Sequence, residues 1–195
     1  MTFNPQKHHR RSIRLPEYDY SQPGGYYITI DTKMKQFLFG DVVDGKMVLN
    51  GFGKIAEQFI HKITERYPNV ELDEWIVMTN HVHFIVMIGI NYAPVRAIHE
   101  SPQNKATEIK GVIRESPIRG VNENSKVDRR RMLIPKIVGY FKMNTAKQIN
   151  LLRGTSGTSL WHRDYYEHVI RDEEELNGIR RYIFDNSVEW EKGRK

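Results

Sequence analysis

Apolar and polar residues alternate along GYYITID (25–31), with β-branched and aromatic side chains prominent, and this pattern predicts a strand entered from Pro23-Gly24-Gly25. Two short apolar runs follow in FLFGDVVDGKMVLN, with Asp44-Gly45 between them as a hairpin turn. In GFGKIAEQFIHKITERYP, Ile55, Phe59, Ile60 and Ile63 recur at helical spacing and Pro68 stops the pattern. VELDEWIVM and HVHFIVMI come next with almost no connection, so they are expected to pair as a tight antiparallel hairpin with Thr79-Asn80 at the bend.

From Gly89 to Arg131 periodicity disappears. The segment carries Ala93-Pro94, Ser101-Pro102 and Ser116-Pro117, and its scraps IHESPQ and IRESPI resemble a degenerate duplication. A structureless stretch of this length reads as a surface insertion, with room for one short helix around Ala106–Val112. IPKIVGYFKMNTAKQIN then predicts a helix with Pro135 at its first position and Ile137, Val138, Phe141 and Ile149 on one side. WHRDYYEHVI predicts a strand, and Asp172 with Glu175 starts a last helix through LNGIRRYIF. The order is β, β-hairpin, α, β, β, α, β, α. The expected fold class is α+β, a largely antiparallel sheet with helices packed on it.

Composition narrows the partners. One domain is the expectation for 195 residues, over 23–195 behind an arm at 1–22. No apolar run approaches the roughly 20 residues that span a bilayer, and MTFNPQKHHRR lacks the apolar core of a secretory signal. With no cysteine, disulfides and thiolate metal sites are excluded, and a cytoplasmic location is expected. The net charge is +6 with a pI of about 9.4, which favours an anionic partner, nucleic acid before membrane. The charge is clumped in Lys7, Arg10, Arg11 and Arg14, again in Arg129, Arg130 and Arg131, and again in Arg180 and Arg181.

TNHVHFIV raises the question of chemistry. Side chains alternate along a strand, so His81 and His83 share a face, about two strand rises apart, while Val82 and Phe84 take the other. Two imidazoles so placed can chelate a metal ion, or equally can be hydrogen-bonded core residues. No third histidine lies nearby: His61 falls in a helix, His99 in the insertion, and His162 and His168 flank the last strand. The last helix offers a partner. Tyr182 and Asn186 stand four apart on one helical face; an amide carbonyl can join two imidazoles, and a phenol can serve as a covalent nucleophile. Flanked by Ile179 and Ile183, Tyr182 also reads as a packing residue.

The succession TNHVHFIV, IPKIVGYFKMNTAKQIN and LWHRDYYEHVIRDEEELNGIRRYIFDN resembles the REP-associated tyrosine transposases, single-tyrosine members of the HUH transposases. The likeness runs from YYITI to the C-terminus apart from 89–131. It implies a ferredoxin-like sandwich with the HUH motif on a central strand. It further implies that His81, His83 and Asn186 bind a divalent cation, Mg²⁺ or Mn²⁺, and that Tyr182 is the catalytic nucleophile. Imidazole ligands by themselves favour Zn, Mn or Fe over Mg. The implied reaction is cleavage and rejoining of single-stranded, hairpin-forming DNA (REP-like palindromes) through a 5′-phosphotyrosine, by a monomer or homodimer. Lys7, Arg10, Arg11, Arg14, Arg129, Arg130 and Arg131 are candidate phosphate contacts, and Tyr26, Tyr27 and Trp161 candidate stacking surfaces. The family's tyrosine-helix pattern ends in proline where this chain has Ser187. Alternatives are a replication-initiator or relaxase type of HUH nuclease, a hairpin-binding protein without cleavage, and a small metal hydrolase.

Overall fold

Alternating side chains settle the sheet. In the computed structural model, which describes residues 18–89 and 131–193, the first strand β1 (Gly24–Asp31) buries Tyr26, Ile28 and Ile30 on one face. A single 3₁₀ turn at Lys33–Lys35 leads into the hairpin β2 (Gly40–Val43) and β3 (Lys46–Leu49). Asp44 and Gly45 both take left-handed φ, 51° and 71°, as a tight two-residue hairpin turn requires. Helix α1 (Gly51–Arg66) starts where the Asn50 side chain accepts from the Phe52 and Gly53 amides. Strands β4 (Val70–Val77) and β5 (His81–Ile88) form the expected hairpin, and α2 (Leu133–Arg153), β6 (Tyr166–Ile170) and α3 (Glu173–Lys192) complete the chain.

The four long strands make one sheet in the order β4-β5-β1-β6, every neighbouring pair antiparallel, with β2 and β3 as a separate ribbon. The main core lies on one face, where Val82, Phe84, Val86 and Ile88 of β5 meet Ala56, Phe59, Ile60 and Ile63 of α1 and Ile134, Ile137, Phe141 and Ile149 of α2. The opposite face, the one carrying His81 and His83, is covered by α3. There Tyr27, Ile85 and Met87 pack with Leu176 and Ile183 in a smaller apolar cluster. β5 is an inner strand, paired on both sides, and every one of its residues is buried.

Several boundaries differ from the sequence pattern. Pro135 is the third residue of α2, inside the first turn where its missing N–H costs nothing. Only Tyr166–Ile170 of WHRDYYEHVI forms the strand; Trp161 makes an isolated bridge to Thr32, and its indole donates to Thr145 Oγ1 at 2.8 Å. Tyr18 and Tyr20 pack with Tyr26, and Tyr20 is 2% exposed. Asp172 caps α3 by accepting from Glu175 N, but Glu175 returns to the Arg171 amide and to His168 rather than to Asp172. Lys7, Arg10, Arg11, Arg14, His99, Arg129, Arg130, the suggested helix at Ala106–Val112 and the repeated scraps lie outside the described residues.

Candidate active site

Pairing places the histidines. Strand register sets His81 opposite Asp31 and His83 between Thr29 and Ile76, at the end of β5 where the apolar face runs out. The two rings stand 4.5 Å apart between centroids at 71°. On the same face the alternation in β1 delivers Tyr27, Thr29 and Asp31 beneath them. These residues line an open cleft of about 650 Å³ together with Lys35, Asn80, Tyr166, Tyr182 and Trp190.

Each imidazole is held by its Nδ1. His81 Nδ1 is 2.7 Å from Asn80 Oδ1, an acceptor, so Nδ1 carries the proton and Nε2 keeps its lone pair. Asn80 is fixed in that sense by donating through Nδ2 to Lys35 O at 3.3 Å. His83 Nδ1 lies 2.8 Å from the Tyr27 hydroxyl and 2.9 Å from Thr29 Oγ1. A proton on Nδ1 shared with these hydroxyl oxygens leaves Nε2 as the lone-pair atom of His83. That Nε2 is buried and has no hydrogen-bond partner among the described residues. Burial above all depresses both rings, His81 to about 4 and His83 to about 3. For His81 the nearby Asp31 carboxylate opposes this and Lys35 adds to it; for His83, His81 and Lys35 add to it. Both are neutral at pH 7, the form that ligates metals. Burial likewise pushes the Tyr27 phenol up, so it stays a neutral hydroxyl.

α3 supplies the other half. Tyr182 is 54% exposed, its ring edge-on to His83 at 5.5 Å and to Tyr27 at 6.4 Å. One turn on, Asn186 is buried and lies beside the His81 ring. The helix does not loosen after Asn186. It runs to Lys192, and the Ser187 hydroxyl donates to Gly45 O at 2.7 Å, tying α3 to the hairpin turn. On the N-terminal side, Arg180 forms a two-pronged ion pair with Asp73. Asp73 sits in a bulge of β4, where residues 73 and 74 face only Ile85 of β5, and the bulge turns its carboxylate toward α3. The arginine pair of the sequence is thus divided: Arg180 is a clasp and Arg181 is exposed.

The structure therefore brings His81, His83 and Tyr182 to one cleft, with Asn186 buried beside His81, from elements about a hundred residues apart. A divalent cation fits these residues, because the histidines offer two neutral imidazole nitrogens, one of them buried and unpartnered, and Asn186 an amide group beside His81. Among the described residues no cluster of three or more His, Asp or Glu forms a metal site, so the third position depends on the amide. Arg131 is exposed ahead of α2 and does not line the cleft. Tyr26 and Trp161 are buried in the main core, and of the stacking candidates only Tyr27 reaches the cleft, as its floor. Sequence reading did not assign Thr29, Asp31, Lys35, Asn80, Tyr166 or Trp190 to the site. The period-two alternation of Tyr27, Thr29 and Asp31 is the signal that would have pointed to three of the cleft's residues.

No protein-family model matches the chain. An uncharacterised protein of Haemophilus influenzae is 34% identical over 191 residues, 97% of this chain and 94% of that protein. Among solved structures, a REP-associated tyrosine transposase bound to a REP hairpin superposes with a TM-score of 0.54 at 14% identity, over 91% of this chain and 74% of that one. A provisionally assigned transposase from Deinococcus radiodurans gives 0.43 at 14% identity, over 89% and 97%. The chain belongs to one family with the Haemophilus influenzae protein, and its fold is that of the REP-associated tyrosine transposase.

Proposed function

We propose that this protein is a single-tyrosine HUH transposase that cleaves and rejoins single-stranded DNA next to a hairpin. The observation that carries the reading is the convergence of Tyr182 and Asn186, on one face of α3, with the histidine pair of β5. The antiparallel order β4-β5-β1-β6, with α1 and α2 on one face and the histidines on an inner strand, supports reading the fold as a ferredoxin-like sandwich. The shared fold with a transposase bound to a REP hairpin makes a REP-like palindrome the substrate to test first. Among the described residues no helix is long and apolar enough to cross a membrane, and we place the protein on chromosomal DNA in the cytoplasm.

His81, His83 and Asn186 would hold a divalent cation, Mg²⁺ or Mn²⁺, whose chemistry there is to withdraw charge from a phosphate oxygen. The chain's own residues do the rest. Tyr27 and Thr29 fix His83, and Asn80 fixes His81, through their Nδ1 atoms, so that the Nε2 atoms keep their lone pairs for a ligand. Tyr182, more than half exposed, presents its oxygen to a strand laid across the cleft. Its attack forms a P–O bond to the tyrosine as the P–O3′ bond breaks. The phenol proton goes to solvent and the departing 3′ oxygen takes one up. The phosphotyrosine retains the energy of the diester, so a 3′-hydroxyl can reverse the step without a nucleotide cofactor.

Incubation with Mn²⁺ and hairpin DNA labelled at its 3′ end tests this. A covalent protein–DNA band on a denaturing gel, absent in Tyr182→Phe, is expected. Binding without any such band would instead make the protein a hairpin-binding module and overturn the enzymatic reading.

A further inference from the structure

The cleft has one cation that the reaction above does not use. Of the residues lining it, Lys35 is the one lysine or arginine. Its placement is built. Lys35 and Met34 before it lie in the left-handed region, φ 54° and 57°, a conformation unfavourable for a non-glycine residue that persists only where the surroundings enforce it. The surroundings do enforce it. Thr32 Oγ1 lies 2.8 Å from Gln36 O and 2.9 Å from Asn80 O, closing the turn on both sides. Asn80 then bridges the turn to the site, donating to Lys35 O while accepting from His81 Nδ1. The backbone that carries the ammonium and the ring of a candidate ligand are thus set by the same amide. The ammonium is 2.5 Å from Asp31 Oδ1, and Asp31 is the strand partner of His81.

Such an arrangement suits an anion. A phosphodiester brings one negative charge, and more develops on its non-bridging oxygens as the tyrosine adds; an ammonium at the cleft shares that charge with the cation the histidines and Asn186 would hold. We propose that Lys35 is a catalytic residue for the reaction read above: its ammonium leaves Asp31 to bind a non-bridging oxygen of the scissile phosphate, with Asp31 holding it at the cleft mouth until DNA arrives. The inference rests on the transposase reading, and it adds a phosphate contact from the turn after β1. No proton or electron moves through Lys35. It donates a charge-assisted hydrogen bond that strengthens as the phosphate gains charge.

The test compares the wild type with Lys35→Met, Lys35→Arg and Lys33→Met, the last an exposed lysine on the same turn. Adduct formation is timed with 3′-labelled hairpin DNA and Mn²⁺, and binding of the same DNA is titrated against salt in EDTA. Lys35→Met is expected to slow the adduct about 10- to 100-fold, and Lys35→Arg to recover most of the rate. In EDTA, where no chemistry occurs, Lys35→Met should lower the slope of log affinity against log salt by about 0.7, one single-strand phosphate contact. Lys33→Met should change neither quantity. A Lys35→Met protein with the wild-type rate overturns the inference alone, and so does a slower one with an unchanged salt slope, which marks a structural role. A wild type that forms no adduct overturns the transposase reading and this inference together.

Discussion

Breaking the Arg180–Asp73 pair should loosen α3 and disable the site without touching any candidate catalytic residue. α3 has few anchors: its buried residues are Leu176, Ile183, Asn186 and Ser187, only two of them apolar. The guanidinium meets the carboxylate through both Nε, at 2.7 Å from Oδ1, and Nη2, at 2.5 Å from Oδ2, and the two side chains are 15% and 14% exposed. Removing one partner of a fully buried pair costs about 3–5 kcal/mol, because the other charge stays desolvated. With a seventh of each side chain still in water, we expect roughly 2–3 kcal/mol for Asp73→Ala. Arg180→Ala should cost somewhat less, since a lone carboxylate can protonate or hydrate. The double change should cost less than the sum by about 1–2 kcal/mol. Urea unfolding followed by circular dichroism gives the three values, and hydrogen exchange of the α3 amides shows whether the helix opens ahead of the rest. Adduct formation should fall in all three variants because Tyr182 follows Arg180 by two residues. Single-variant losses below about 0.5 kcal/mol that simply add, with α3 exchange unchanged, would refute the reasoning and leave Leu176 and Ile183 as the anchors.

Other outcomes follow from the same geometry. Ser187→Ala removes the bond to Gly45 O; a loss of about 1 kcal/mol, seen as roughly 2–4 °C in thermal unfolding, is expected, and an unchanged midpoint would contradict the tie. His81 and His83 titrate in the folded protein near 4 and 3, below their ordinary value of 6.5. Their contribution to stability is therefore complete above about pH 6.5 and is lost as pH falls from there toward 4, on the order of 1 kcal/mol per histidine per pH unit. In EDTA, urea midpoints from pH 7 to 4.5 should show this slope, and a His81→Gln, His83→Gln double change should flatten it. Mn²⁺ at a hundredfold excess over its dissociation constant should stabilise the protein by about 2.7 kcal/mol. A thermal shift with Mn²⁺ that persists in His83→Ala or in Asn186→Ala would place the ion elsewhere.

Much of the fold was legible because local and global preferences agree. The strand alternation of Gly24–Asp31 and His81–Ile88, the Asp44-Gly45 turn and the helical spacing of Ile55, Phe59, Ile60 and Ile63 each carry their own signal. What the pattern overextended was WHRDYYEHVI, whose aromatic and β-branched content suits a strand although only Tyr166–Ile170 finds an antiparallel partner in β1. In the site, spacing put His81 with His83 and Tyr182 with Asn186, but nothing local joins the two pairs; that join depends on α3 crossing the sheet. Asp31, Lys35, Asn80, Tyr166 and Trp190 escaped for the same reason, since each enters the cleft through pairing register, a strained turn or helix packing. Arg180 looked like one of a basic pair and became a clasp because a bulge in β4 turned Asp73 toward it.

The central claim is that Tyr182 becomes bonded to DNA. Adduct made with hairpin DNA and Mn²⁺, trimmed with nuclease and digested, can be sequenced by tandem mass spectrometry. A nucleotide phosphate is expected on the peptide containing Tyr182, on its phenolic oxygen. A modified residue other than Tyr182, or unmodified Tyr182 in protein that binds and cuts the DNA, would contradict it.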